Sequence, residues 1–186
     1  LSSATLRGHE QALTVYRHAK ERGYIRAVGI STHHIAAVQA AIMHSEIDII
    51  HPLYNKQGFG IQDGDAPRML AAVEENSLLG KGVYGMKALG GGHLIPDYRS
   101  CLEHVLQLDC FQSIAVGMQN QAELAVNSAL FSGEDPPYQQ VQELSRQPRK
   151  LHIEDYCQAC GLCVMRCPSK ALRLAPTGLE VDHDLC

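Results

Sequence analysis

Apolar residues recur at helical spacing between His9 and Arg22 (Ala12, Leu13, Tyr16, Ala19), and Gly23 follows as a stop, so this stretch predicts an amphipathic helix. The pattern then shortens. Ile25–Ile30 is a compact apolar run that predicts a buried strand ending on Ser31-Thr32-His33-His34. The cycle repeats three more times: an alanine-rich helix over Ile35–Met43 and a strand starting at Ile47 and running toward Asn55, a helix over Arg68–Asn76 and a strand over Val83–Lys87, and a helix over Tyr98–Leu108 and a strand over Ser113–Gly117. A last helix spans Asn120–Phe131, with Gly133 as its stop. Strands that are short and largely apolar, each followed by a helix, predict an α/β fold with a parallel sheet covered by helices. The cycles differ in length, which excludes a solenoid repeat. After Pro136-Pro137 the chain turns polar, and Gln139–Lys150 reads as an outer helix or linker. Two alternating segments, Ala171–Leu174 and Leu179–Val181, flank Pro176-Thr-Gly178 and predict a hairpin.

Composition narrows the function classes. Of 186 residues 45% are apolar and 19% charged, ordinary values for a globular protein, and the net charge of −4 leaves no basic surplus with which to neutralise phosphates. A nucleic-acid partner is therefore not expected. No apolar run approaches the roughly 20 residues that span a bilayer, so a membrane partner is not expected either. Seven cysteines are present. Cys101 and Cys110 fall within apolar patterns and read as buried free thiols, which places the chain in a reducing, cytoplasmic compartment.

The other five cysteines carry the chemistry. Cys157-Gln-Ala-Cys-Gly-Leu-Cys-Val-Met-Arg-Cys-Pro168 has the spacing C-x2-C-x2-C-x3-C-P, the run that wraps a 4Fe-4S cluster. Sulfurs two residues apart reach neighbouring cluster corners only on a tightly curled loop, and Gly161 permits that curl. Zinc is an alternative, although its sites usually pair two C-x2-C knuckles across a longer spacer. Disulfides are another, and they call for an oxidising compartment. The run and the hairpin after it resemble bacterial-type ferredoxins over about residues 153–186. The resemblance implies an electron-transfer module with Cys157, Cys160, Cys163, Cys167 and Cys186 as metal ligands, Cys186 standing where a second cysteine run would begin. Eight thiolates are needed for two clusters, so these five support at most one.

The first two-thirds resemble the aldo/keto reductases. Gly23-Tyr-Ile-Arg-Ala-Val-Gly-Ile-Ser-Thr32 is similar to the family's fifth strand, and Asp48-Ile-Ile-His-Pro-Leu-Tyr-Asn55 to its sixth. Gly80-Lys-Gly-Val-Tyr-Gly-Met-Lys-Ala-Leu-Gly-Gly-Gly92 is similar to the seventh strand and its glycine loop, and Ser113–Asn127 to the eighth strand and the following helix. The resemblance implies the last four βα units of a (β/α)8 TIM barrel, so that residues 1–135 form a partial barrel, 136–152 a linker helix and 153–186 the incomplete cluster module. It also implies an NADP or NAD site: Ser31 and Asn55 on the nicotinamide carboxamide, Leu89, Gly90, Gly91 and Gly92 along the pyrophosphate, Glu123 and Asn127 at the adenine end. Met86 replaces a tyrosine that stacks on the nicotinamide in many relatives. Between Gln119 and Glu123 there is no cation for a ribose phosphate, which favours NADH unless Lys87 or a segment outside this sequence supplies the charge.

The family's catalytic tyrosine, lysine, aspartate and histidine belong to strands this chain does not contain, so no catalytic residue is assigned. His33, His34, His51 and His93 sit at predicted strand ends and read as exposed or capping side chains, with facing a substrate as the alternative. The chain is expected to be a piece of a longer oxidoreductase that moves hydride between NAD(P)H and a small carbonyl or alcohol and carries an iron-sulfur module facing a redox protein. By itself it is expected to be catalytically incompetent and to self-associate through its open half-barrel. The alternatives are an electron-transfer protein whose barrel part only docks, and an inactive remnant.

Overall fold

The structure is a computed structural model that describes residues 8–146, 151, 153–167, 169–182 and 185, with backbone alone at 143–146. Two units are distinguished, Leu1–Gln140 and Val141–Cys186. The division falls inside a helix, α6 (Tyr138–Arg146), in the stretch expected to be an outer helix or linker. Among the described residues no helix is long and apolar enough to cross a membrane.

The first unit is built on four parallel strands, β1 (Gly29–Thr32), β2 (Ile49–Pro52), β3 (Gly82–Met86) and β4 (Ser113–Ala115), adjacent in the sheet in the order in which they occur in the chain. Gly29 pairs with Ile49, Ile49 with Gly82, and Tyr84 with Ser113, which sets the register across all four. Helices α1 (Glu10–Glu21), α2 (Ile35–Ile42), α3 (Ala66–Leu78), α4 (Tyr98–Leu106) and α5 (Gln121–Phe131) alternate with them.

Alternation along the strands decides where the core lies. Ile30, Thr32, Ile50, Val83 and Gly85 point to one face and are buried, together with Ile35 and Val38 of α2, Met69 and Val73 of α3, Leu102 and Val105 of α4 and Val126 of α5. Gly85 lacks a side chain because the Phe111 ring occupies the space: a Cβ there would stand 2.8 Å from it. Asn76, fully buried, ties α3 to α2 by donating to the Val38 and Ala72 carbonyls at 2.9 Å each. The opposite face carries Ile49, His51, Tyr84 and Met86, all exposed or half-exposed. Parallel sheets are normally covered on both faces; among the described residues of this unit, helices cover one.

Apolar runs mark burial better than they mark pairing, and two strand boundaries differ from expectation for that reason. β1 begins at Gly29 rather than Ile25, and β2 at Ile49 rather than Ile47, although Val28 and Ile47 are buried just ahead of the ladder. Asp48 defines the start: its carboxylate accepts the Val28 N–H at 2.8 Å and the Lys20 ammonium at 2.5 and 2.7 Å, which also fastens α1 to the sheet. Helix α1 buries none of its side chains, and Val15 and Tyr16 face solvent. The remaining helices match expectation closely; α3 starts earlier because Asp65 caps it, accepting the Arg68 N–H at 3.0 Å.

Burial tends to raise the Asp48 carboxyl, but the Lys20 ammonium and the Val28 N–H together hold it below the ordinary carboxylate value. A depressed carboxylate stabilises the fold above its unfolded pKa, and this contribution is lost as pH falls through the folded one. Asp48→Ala is expected to cost about 1–2 kcal/mol at neutral pH, from the lost charge-assisted bonds of the carboxylate to the Lys20 ammonium and the Val28 N–H. Urea unfolding at pH 7 and at about pH 2, below the depressed carboxyl value, should show the gap between wild type and variant narrowing in acid.

Candidate functional site

In the second unit a loop carrying Cys157 and Cys160 leads into the five-residue helix α7 (Leu162–Arg166), on which Cys163 lies; Cys167 follows as its C-cap. The loop curls through two left-handed residues, Gly161 at φ 80° and Ala159 at φ 48°, and a third, Lys170 at φ 54°, turns the chain after Cys167. The sequence pointed to Gly161; nothing in it flags Ala159 or Lys170, which are L-residues in a conformation that costs them about 1–2 kcal/mol each. The chain then forms the expected hairpin, β5 (Leu172–Ala175) antiparallel to β6 (Gly178–Val181), with Arg173 opposite Glu180 and joined to it at 2.8 Å.

Cys157, Cys160 and Cys163 are exposed and Cys167 is half-buried, all as free thiols. The Ser169 hydroxyl, 3.4 Å from the Cys167 sulfur, holds that thiol below its ordinary range, opposed by slight burial and helped by the backbone N–H groups of Ser169, Ala171 and Leu172. Pro168 and Cys186 lie outside the described residues. Among the described residues no three His, Cys, Asp or Glu side chains gather tightly enough to hold one metal ion. A single tetrahedral zinc would require its sulfurs about 2.3 Å from one point. A 4Fe-4S cluster takes one thiolate at each of its four iron corners, and four free thiols lie on or next to this curled loop.

In the first unit the residues expected to hold a dinucleotide lie at and beyond the C-terminal ends of the strands. Ser31 lines an open hollow of about 360 Å³ with Thr32, His33, His34 and Gln62. Burial, and then the charge of Lys87, pushes the His33 imidazole below its ordinary pKa. The N-terminus of α2 beside the hollow is occupied by Asp63, which accepts the Ile35 and Ala36 N–H groups at 2.6 and 2.9 Å. That cap comes from 28 residues away, beyond the reach of any local sequence signal.

Asn55 is fully buried, and its amide is directed to the chain itself: Nδ2 donates to the Phe59 and Lys87 carbonyls at 2.9 and 3.3 Å, and Oδ1 accepts the Phe59 N–H at 2.9 Å. Lys87 sits in left-handed conformation at φ 59°. In the glycine turn the Gly90 and Gly92 N–H groups donate to the Lys87 and Leu89 carbonyls at 2.8 and 2.9 Å, and Gly90 is left-handed where a Cβ would strike Leu94. Asn120 caps α5, accepting the Glu123 N–H at 2.9 Å, while the Glu123 carboxylate accepts the Gln119 N–H at 2.7 Å. Asn127 is half-buried two turns into the same helix. The structure thus brings Ser31 to a hollow and Asn55, Lys87 and Gly90 to one backbone-bonded corner, and it gives Glu123 a bond to the Gln119 N–H. His51, on the open sheet face, stacks on Tyr84 at 4.3 Å between ring centroids and hydrogen-bonds the Tyr84 carbonyl. His93 stands 4.3 Å from the Phe59 ring.

The family of 4Fe-4S binding domains matches residues 151–173, the stretch that contains Cys157, Cys160, Cys163 and Cys167. None of the curated proteins and none of the solved structures compared matches the chain. The matched stretch supports a 4Fe-4S cluster and an iron-sulfur electron-transfer role.

The Asn55 corner yields a stability test. Lys87→Gly removes a left-handed L-residue and should stabilise the chain by about 1 kcal/mol. Asn55→Ala strands the Phe59 N–H and should cost about 1–3 kcal/mol. Thermal unfolding of the two variants should move in opposite directions from wild type.

Proposed function

We propose that the chain is an iron-sulfur electron carrier whose second unit holds one 4Fe-4S cluster through Cys157, Cys160 and Cys163 with a further thiolate, Cys167 or Cys186. The observation that carries this reading is the C-x2-C-x2-C-x3-C run inside the matched stretch, on a loop that its left-handed residues curl toward solvent. When bound, the cluster supplies one-electron transfer at a surface a redox protein can reach. The chain's own part is to present deprotonated sulfurs, and the bond from Ser169 favours that state at Cys167.

We further propose that the first unit is part of an aldo/keto reductase-type (β/α)8 barrel, in which coenzyme NADP or NAD and a small carbonyl or alcohol meet at the strand ends. Two features support it. The strands follow one another in the sheet in chain order, as around a barrel wall, and the uncovered face holds Ile49, Tyr84 and Met86, residue types that line a barrel interior. Ser31, with the hollow beside it, and Lys87 are the residues best placed to meet a coenzyme. Asn55 and Glu123 would have to exchange bonds within the chain for bonds to a nucleotide, so this chain alone binds coenzyme weakly and turns nothing over. An uncovered sheet face also exposes the unit to self-association.

Anaerobic loading followed by iron and sulfide analysis tests the leading reading, with about four irons per chain and a broad visible absorbance expected. Stoichiometric zinc with refusal of iron would overturn it. Titration of NAD(P)H fluorescence tests the second reading: weak quenching that Ser31→Ala abolishes is expected, and its absence in a chain that loads iron leaves an electron carrier with a non-catalytic first unit.

A further inference from the structure

Neighbouring strands lie about 4.8 Å apart, close to the separation of stacked rings, so register partners on one face of a parallel sheet can form a row of rings. The uncovered face of the first unit carries such a row. Ser31 of β1 is the register partner of His51 of β2, and Tyr84 of β3 that of Ser113 of β4. Between them, the pairing of Ile49 with Gly82 and of Ile50 with Val83 continues so as to put His51 beside Tyr84. The two rings stack, with centroids 4.3 Å apart and planes 14° from parallel.

His51 is fixed twice. One face of its ring lies on Tyr84, and Nδ1 bonds the Tyr84 carbonyl, which is an acceptor only, so Nδ1 carries the proton and donates. The other face is turned toward β1. There the register position belongs to Ser31, whose side chain is too short to extend the row. Two residues back on the same face is Gly29, and Ile49 lies close over it: a Cβ on Gly29 would stand 3.2 Å from the Ile49 Cβ. The space beside His51 is therefore walled by an imidazole, floored by a serine and bordered at its lower end by an apolar side chain. At its upper end Ser31 lines the hollow of about 360 Å³, which selects this side of the row over the one at Ser113.

We propose that this space takes a planar heteroaromatic ring, the nicotinamide of the coenzyme, stacked on the outer face of His51 above Ser31. The inference rests on the coenzyme reading of the first unit. An imidazole already held by a stack and a hydrogen bond offers a flat ring its platform with little ordering cost. The chemistry of a barrel sits at the C-terminal ends of its strands, and Ser31 and His51 each stand one residue from the end of theirs. The ring held there is thus the reacting one and not the adenine.

The test uses the full chain and titration calorimetry with NADH and NADPH, each compared with its counterpart lacking the nicotinamide, ADP-ribose and 2′-phospho-ADP-ribose. Wild type is expected to bind at least one reduced coenzyme about 3–10-fold more tightly than that coenzyme's counterpart. His51→Ala should lose this margin with the affinity for the counterpart unchanged, and His51→Phe, which restores a ring, should regain it. Ser31→Phe, which fills the space with a ring of the chain itself, should lose it too. Proton spectra should show the nicotinamide signals moved upfield by ring current with wild type and His51→Phe, and unmoved with His51→Ala. An undiminished margin in His51→Ala, equal weakening toward both members of a pair, or wild type that binds both members equally would overturn the inference and leave the coenzyme reading intact. Wild type that binds none of the four ligands would remove both.

Discussion

Ordering a backbone costs about 1–2 kcal/mol per residue, and a chain normally offsets this by burying apolar side chains. The cysteine unit does not: among its described residues only Ala171 is buried, and its large apolar side chains face outward. The hairpin adds a cross-strand ion pair between exposed partners, Arg173 and Glu180, which contributes little. The thiols are the strongest bonding groups this unit has. Ligation of deprotonated sulfur can supply on the order of ten kcal/mol where a metal site and a fold form together. The left-handed backbone at Ala159 and Lys170 is consistent with such a source, because strain in short loops persists where something outside the loop over-determines it.

The first unit meets its constraint in the opposite way. Its core is ordinary, formed by α2, α3, α4 and α5 on one face of the sheet, and its polar groups are directed inward to hold the layers in register: Asn76 between helices, Asp48 at the sheet's entry, Asn55 at its exit. What is unusual is the face left over. A parallel sheet with Ile49, Tyr84 and Met86 toward solvent has half the covering that such sheets have elsewhere. Helix α1, amphipathic in sequence and without a buried side chain in the structure, shows the same deficit at the other margin.

Much of this was legible from the residues. The alternation of apolar runs and helical periods fixed the type and order of nearly every element, because burial dictates period. Gly23, Asn120 and the Pro176-Thr-Gly178 turn marked their boundaries through local chemistry alone. The strand starts were less legible: Val28 and Ile47 look like strand residues because they are buried, and the Val28 N–H goes to the distant carboxylate of Asp48. At the candidate sites the cysteine spacing announced its chemistry, since ligation is a property of residue type and separation. The roles of Asn55 and Glu123 were not readable in the same way. An asparagine that bonds a ligand and one that braces a left-handed lysine look alike in sequence, and the difference lies in which backbone groups a fold brings within 3.3 Å of the amide.

The dependence of the second unit on sulfur ligation is tested most directly by amide hydrogen exchange along Leu172–Ala175 and Gly178–Val181, measured under anaerobic conditions on the same preparation before and after iron and sulfide are added. The account predicts that these hairpin amides exchange at nearly unprotected rates without iron and become protected on loading, while those of Ile50 and Val83 in the first unit are unchanged. Hairpin protection that is already complete in the iron-free chain would contradict it.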